Sequence, residues 1–577
     1  MGATADSGDG LTDEPTTADL LGDALVAESL GDPVATDALT AAAAVPETAG
    51  PAGDVTTGDE TTGDETASTE TASTETASGE AAGRGAASSA AEFVRLSTYM
   101  LFNIASFLLI IRYLPKDQMG WYALVNVIVN LAYVVAELQM EKVAVRRITQ
   151  GMPVEEVIGA AVGVRLAGSA VATVATQVIF VAIGMVRGGI NGELQLAALL
   201  ASSQFFGESL FVVGSAFQAQ LRAYLDVVPR IIYVVLRFGF TLALLALGVP
   251  WWALFLAWVG AYAIADVLAV LLYRIKTHLR LRPQLRGTGR LVREALTLGV
   301  AGLLGMATVQ WGTIYLGFTG QPDSVAVYNT AILPIQYLSM FASVIAIVAF
   351  PLVSAAWARR DREAFGRIDG AARTAILALF LPVTVLLFEA PMADVMEKVF
   401  GRGYGAAAQP LRLMSIALIL ASMMVWAGFV LLAVGHLRAI IIINGLCLTI
   451  GVVAAPLVVP TYGIDGLGAV GIAATAVGLT AAGILLARGT PAAFDTRGTL
   501  RVLLCGLLLW SALSMMARLT DSFLALAAVT VVLYPVLVVI TRVLRSDVLE
   551  DLRAGTGPET GSGTDPVASE APAGGAA

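Results

Sequence analysis

The sequence predicts an all-α polytopic membrane protein of about 14 transmembrane helices, two pseudo-symmetric six-helix lobes plus two C-terminal helices. Three observations lead there. Of 577 residues, 57% are hydrophobic and only 14% charged, whereas about a quarter of the residues of a soluble domain are charged. Apolar runs of about 20 residues recur along the chain, each able to cross a hydrocarbon core of about 30 Å as a helix. Midway, Arg274–Arg293 gathers seven Lys/Arg and His278 without a carboxylate, too basic for a bilayer and suited to a cytoplasmic loop between two membrane-embedded halves.

Taken in order, residues 1–90 consist mainly of Ala, Thr, Asp, Glu, Gly and Ser, with imperfect repeats such as TGDETTGDE and almost no aromatic residue. Such a segment cannot offset its ordering entropy, and we expect a disordered acidic tail. It has no basic n-region followed by a short apolar core, so it does not read as a signal peptide. The first lobe, 91–275, carries runs at 93–114, 120–142, 156–185, 194–221, 230–248 and 251–273. The basic hinge 276–294 follows. The second lobe, 295–490, carries runs at 295–317, 324–352, 368–389, 407–434, 438–459 and 465–487, with Pro334, Pro351, Pro382 and Pro456 as candidate bends. Residues 491–546 hold two additional helices, 501–518 and 522–544, and 547–577 is a second disordered tail.

The formal charge of −10 comes from carboxylates crowded into the two tails, while Arg dominates the loops, so nucleic acid is not an expected partner. With the amino terminus inside, the cytoplasmic turns hold about 24 Lys/Arg and the outer turns about five (Lys116, Arg187, Lys398, Arg402, Arg518). Both termini are therefore expected in the cytoplasm of a multi-pass cell-membrane protein. Cys447 and Cys505 lie inside apolar runs without a second Cys or a His at metal spacing. Packing is their expected role, and no cofactor or metal is implied.

The second helix of each half opens alike, Asp117-x-x-Gly120-x-Tyr122 and Asp323-x-x-Ala326-x-Tyr328, which suggests internal duplication. Gly403-Tyr404-Gly405-Ala406-Ala407-Ala408-Gln409-Pro410-Leu411-Arg412 is similar to the start of the tenth helix of oligosaccharide flippases, and Pro460-Thr461-Tyr462-Gly463-Ile464-Asp465-Gly466 to that family's P-x-Y-G-I-x-G turn. Tyr113-Leu114-Pro115, Gly120-Trp121-Tyr122 and Val145-Arg146 extend the match to about residues 92–545. The chain thus resembles the polysaccharide-biosynthesis branch of the multidrug, oligosaccharidyl-lipid and polysaccharide exporter superfamily. That resemblance implies two lobes around a cavity open alternately to either face, and a polyprenyl-linked oligosaccharide as the usual substrate. The motifs are Gly, Pro and Tyr at helix turns, so they speak to fold more than to substrate. Asp465 departs from a turn that is usually neutral.

A charge at mid-bilayer costs about 2.5–3.5 kcal/mol on translocon scales and needs a reason. Counting about 1.5 Å per residue from the cytoplasmic ends, Arg165, Glu208, Arg237 and Asp266 fall roughly 10–20 Å deep, in one layer. Glu137 and Glu141 lie shallower, beside Lys142 and Arg146, and Arg112 marks the outer end of the first helix. Two roles fit the layer. Glu208 could pair with Arg165 or Arg237 to lock helices, or the arginines could line a cavity and hold a pyrophosphate bidentately. The second lobe offers only Gln310, Trp311 and Asn444 at this depth, with Trp311 able to stack on a sugar or simply to pack. The candidate substrate-binding set is Arg165, Arg237, Glu208, Asp266, Arg112, Trp311 and Gln310.

These features favour a flippase moving a lipid-linked oligosaccharide for surface glycan assembly, with membrane lipids as its surroundings and a coupling cation left open. The alternative is a cation-coupled drug antiporter of the same superfamily, which tends to set an isolated acid in its cavity. A membrane glycosyltransferase would need catalytic acids or His on a sizeable aqueous loop, and the longest outer loop, about 389–406, offers only Glu389, Asp394 and Glu397. A transporter rather than an enzyme is expected.

Overall fold

A computed structural model describes residues 94–541, apart from 221, 223, 286–287, 320–321 and 490–495. Both expected tails, 1–90 and 547–577, lie outside the described residues. Within these residues every regular element is helical. In the first half run α1 (Val94–Tyr113), α2 (Lys116–Thr149), α3 (Val154–Val186), α4 (Gly192–Gln218), α5 (Tyr224–Ala246) and α6 (Trp251–Thr277). The second half begins with α7 (Gly289–Thr319), α8 (Pro322–Ala358), α9 (Arg362–Glu389), a short helix Met392–Phe400, and α10 (Gly405–Ala433).

The run Leu437–Gly489 would span about 80 Å at 1.5 Å per residue, more than twice a hydrocarbon core. It breaks at Gly463, whose φ of 59° and ψ of −145° suit only glycine, into α11 (437–462) and α12 (464–489). The break falls in the Pro-x-Tyr-Gly turn expected at the outer face. Helices α13 (Thr496–Ala517) and α14 (Phe523–Ile540) complete the chain. Among the described residues twelve runs are long and apolar enough to cross a membrane, and the longest of them is split at Gly463.

Helix starts follow from capping. The side chains of Asn191, Asp361 and Ser522 accept hydrogen bonds from the first free N–H groups of α4, α9 and α14. In the first half α5 packs on α6, α2 on α3 and α6 on α4; in the second, α8 and the α11–α12 run both pack on α10. Helix α13 lies on α9, and α14 on α13. Helix α2 joins the halves through contacts with α7 and α8, and 72% of its apolar window is buried, against 17% for α14.

Two local features differ from the sequence expectation. The basic hinge is shorter than 276–294, because α6 continues through Thr277 and α7 starts at Gly289. Its first part is anchored: Gln284 N donates to Gly159 O at 3.0 Å, and Gly159 and Gly163 have no side chain to hold the loop backbone off α3. Helix α2 is not one uninterrupted helix. It breaks after Glu137, where Leu138 (φ 48°) and Gln139 (φ 52°) both take left-handed backbone before helix resumes at Met140. Neither is glycine, and each such residue costs about 1–2 kcal/mol.

The charge distribution makes the orientation testable with Arg280 and Arg402, both exposed and both outside the helices. In protein with Cys447 and Cys505 replaced by Ser, a cysteine at position 402 is expected to react with a membrane-impermeant maleimide in intact cells. One at 280 is expected to react only after the cells are opened. Labelling of both in intact cells would invert or break the assigned topology.

Candidate substrate cavity

Between the halves lies a cavity of about 260 Å³, walled by α1, α2, α4, α5 and α6 and closed on the far side by α7 and α8. Helix α2 contributes its longest wall. Tyr122, Asn126, Asn130, Tyr133, Glu137 and Glu141 all face the cavity, and steps of three and four residues keep them on one side of the helix. The break at Leu138–Gln139 lies between the last two, so the strained backbone belongs to the cavity wall.

Arg237 of α5 lines the cavity. It donates from Nη1 to the Tyr233 hydroxyl at 3.3 Å and from Nη2 to the side-chain oxygen of Asn103. Its guanidinium lies 5.4 Å from the Trp258 ring centroid and 5.7 Å from that of Tyr233. Cation–π attraction thus helps hold a charge that has no carboxylate partner among the described residues. Glu208, on α4, accepts from the Tyr262 hydroxyl at 2.9 Å and pairs with no Arg or Lys among the described residues. Tyr262 stacks on Tyr233 at 4.0 Å, so one aromatic pair orients both the acid and the base. Arg237, Glu208 and Gln310 line the cavity, and the Glu208–Arg ion pair considered from the sequence is not formed among the described residues.

Other expected members lie elsewhere. Arg165 is only 1% exposed and does not line the cavity; its Nη2 donates to Tyr133 Oη at 3.2 Å from behind the α2 wall. Asp266 sits on α6 outside the cavity lining, with Oδ1 buried and without a hydrogen-bond partner among the described residues. Arg112 ties α1 to the second half, donating to the carbonyls of Val399 and Lys398 at 2.8 Å each. Trp311 faces a different cavity, formed within the second half. Distance along a helix axis gave the depth of Arg165 but not the direction it faces.

The sequence reading also missed a buried knot at one end of the cavity. Arg230 binds Glu141 at 2.7 Å and Asp226 at 3.1 Å, and Gln218 Nε2 donates to the same two carboxylates at 2.7 and 3.0 Å. All three charged side chains are at most 11% exposed. The knot fastens α2 beyond its break to α4 and α5. The four-residue spacing of Asp226 and Arg230 was the available signal; the cross-helix partner, Glu141, was not readable from spacing.

No family model matches the chain, and no curated protein matches its sequence. Solved structures do match its fold. It is similar to the lipid II flippase MurJ in an inward closed conformation, with 13% identity and a TM-score of 0.59, over 80% of this chain and 99% of that one. It is also similar to an inward-facing multidrug resistance MATE family transporter of the MOP superfamily, with 18% identity and a TM-score of 0.50, over 69% and 98%. The described residues form a polytopic all-α membrane protein whose fold resembles those two proteins. At these identities the likeness establishes architecture.

Removing the central cation of the knot leaves two buried carboxylates unpaired, at a cost of about 3–5 kcal/mol. Arg230→Met should therefore lower the thermal unfolding midpoint and the yield of monodisperse protein in detergent. Adding Glu141→Gln and Asp226→Asn to that variant should restore most of the loss. An unchanged midpoint for Arg230→Met would show that the knot does not hold the helices.

Proposed function

We propose that the protein is a flippase that carries a polyprenyl-linked oligosaccharide across the cell membrane by alternating access, for surface polysaccharide or glycoprotein glycan assembly. The observation that carries this reading is Arg237: a guanidinium facing a cavity, free of any carboxylate among the described residues, and set among Tyr, Trp, Asn and Gln side chains. A planar guanidinium offers two parallel N–H donors to a phosphate. Aromatic faces and carboxamides suit a sugar, which presents C–H faces and many hydroxyls. The name of the matched flippase, lipid II flippase, supports a lipid-linked substrate. In this reading the lobes 91–275 and 295–490 rock about the basic hinge, with both termini in the cytoplasm.

A cation-coupled antiporter is the second reading, and Glu137 favours it. This carboxylate is 9% exposed, lines the cavity, and has no ion-pair partner among the described residues. The two readings diverge on which charge the substrate must neutralise.

Reconstitution into liposomes separates them. With a fluorescent polyprenyl-diphosphate oligosaccharide, wild-type protein should expose the label on both leaflets, and Arg237→Gln should slow this by about tenfold or more, equivalent to about 1.4 kcal/mol. Arg237→Lys should recover part of the rate, since it keeps the charge and loses the fork. Because Arg237 neutralises no buried acid, both variants should elute as wild type in size exclusion. Full flipping by Arg237→Gln, or ion-driven uptake of a lipophilic cation that depends on Glu137, would favour the antiporter.

A further inference from the structure

Two carboxylates line the cavity without an ion-pair partner among the described residues, Glu137 on α2 and Glu208 on α4. Glu137 is 9% exposed and makes no hydrogen bond among those residues, while Glu208 accepts from the Tyr262 hydroxyl. Their unpartnered oxygens keep accessible surface, unlike Asp266 Oδ1 or Gln310 Oε1. Other charges act on them from a distance. Arg165 reaches both from behind the α2 wall, Lys142 reaches Glu137, and Asp266 adds a further negative charge near Glu208. A carboxylate at bilayer depth without a paired cation is costly, so a positive charge from outside the chain is favoured here.

Arg237 stands one pair of rings away. Its Nη1 donates to the Tyr233 hydroxyl at 3.3 Å, the Tyr262 hydroxyl donates to Glu208 at 2.9 Å, and the two rings stack with centroids 4.0 Å apart. The cavity thus presents a cation and an acid side by side on one aromatic pair, close together but not joined as an ion pair. Uncancelled charges of both signs in one small space fit a ligand that carries both signs.

Resting on the flippase reading above, we propose that the cavity takes a zwitterionic head: a diphosphate held by Arg237 and, on the sugar attached to it, an unacylated amine whose ammonium is bound by Glu208 and Glu137. An ammonium offers three N–H donors, and a carboxylate accepts them through charge-assisted hydrogen bonds. An acetamide at the same position is neutral and leaves both acids uncompensated. A 2-amino group lies next to the carbon that bears the diphosphate, so the two charges enter the cavity as near neighbours, as the tyrosine pair requires. Glu137, the residue that favours an antiporter, then receives its counter-ion from the glycolipid itself.

The test is equilibrium binding to the full chain in lipid nanodiscs of two radiolabelled ligands that differ at one nitrogen. They are citronellyl-diphosphate glucosamine and citronellyl-diphosphate N-acetylglucosamine, each corrected for empty discs. The glucosamine form should bind about tenfold more tightly, the worth of a hydrogen bond between charged groups. Glu137→Gln combined with Glu208→Gln should erase that preference. Glu208→Gln alone, which leaves Glu137 to balance Arg165, should reduce it to about threefold, and size exclusion checks that both variants elute as wild type. Arg237→Gln should weaken both ligands alike. Equal binding of the two ligands, with both weakened by Arg237→Gln, would overturn the amine site and leave the flippase reading standing. A preference unchanged in both glutamine variants would also overturn it, and binding of neither ligand would overturn the reading on which it rests.

Discussion

A charged or strongly polar side chain at bilayer depth must find a partner or face a water-filled space, because hydrocarbon offers it nothing. In this protein that constraint is met mainly in the first half. Arg165, Glu137, Glu141, Glu208, Asp226, Arg230 and Arg237 all sit on α2–α5, and most of them converge on one side of α2. The buried position of α2, the cavity beside it and the contrast with the apolar cavity of the second half follow from that grouping. Packing between lipid-facing helices cannot rely on a hydrophobic drive. Close approach at glycines and hydrogen bonds across helices do more of the work, as at Gly207 under the Tyr262 ring or Trp426 donating to Asp369 at 2.8 Å.

Three arginines on α3 and α5 meet the same constraint in different ways. Arg230 is surrounded by carboxylates and a carboxamide, an arrangement that ties helices together. Arg165 fills a fully enclosed position and reaches Tyr133. Arg237 is held by rings and a carboxamide, groups that keep it in place without neutralising it. Of these three, Arg237 alone lines the cavity without a carboxylate partner among the described residues, and that difference makes it the proposed anion-binding group. The break in α2 sits between the two kinds of site. Beyond it Glu141 is locked to Arg230, and before it Tyr122 to Glu137 face the cavity, so a change at Leu138–Gln139 would move one relative to the other.

Much of this was legible in the sequence. Helix α4, for example, was expected at 194–221 and runs Gly192–Gln218, because a capped start and a stretch of apolar residues leave little freedom at bilayer thickness. Depth put Arg237 and Glu208 in one polar layer with Arg165 and Asp266, and of these four the cavity lining contains Arg237 and Glu208. Azimuth was harder: Arg165 shares the depth but lies behind the α2 wall, and Asp266, one turn along α6 from Tyr262, is not part of the lining. The polar stripe from Tyr122 to Glu141 was present at helical spacing, yet its tyrosines and asparagines carry no charge and did not stand out. The break in α2 had no signal, since Leu138 and Gln139 are neither Gly nor Pro, and tertiary packing fixes their backbone. The Glu141–Arg230 contact spans 89 positions and depends on that break.

The central claim is that an anionic glycolipid head occupies the cavity beside Arg237, and protection of one cavity position tests it most directly. Asn126 lines the cavity midway along the α2 stripe. In protein lacking Cys447 and Cys505, a cysteine at position 126 should be alkylated by a small maleimide. Saturating polyprenyl-diphosphate oligosaccharide should slow that reaction strongly, and a lipophilic cation such as tetraphenylphosphonium should not. Protection by the cation and none by the glycolipid would contradict the account.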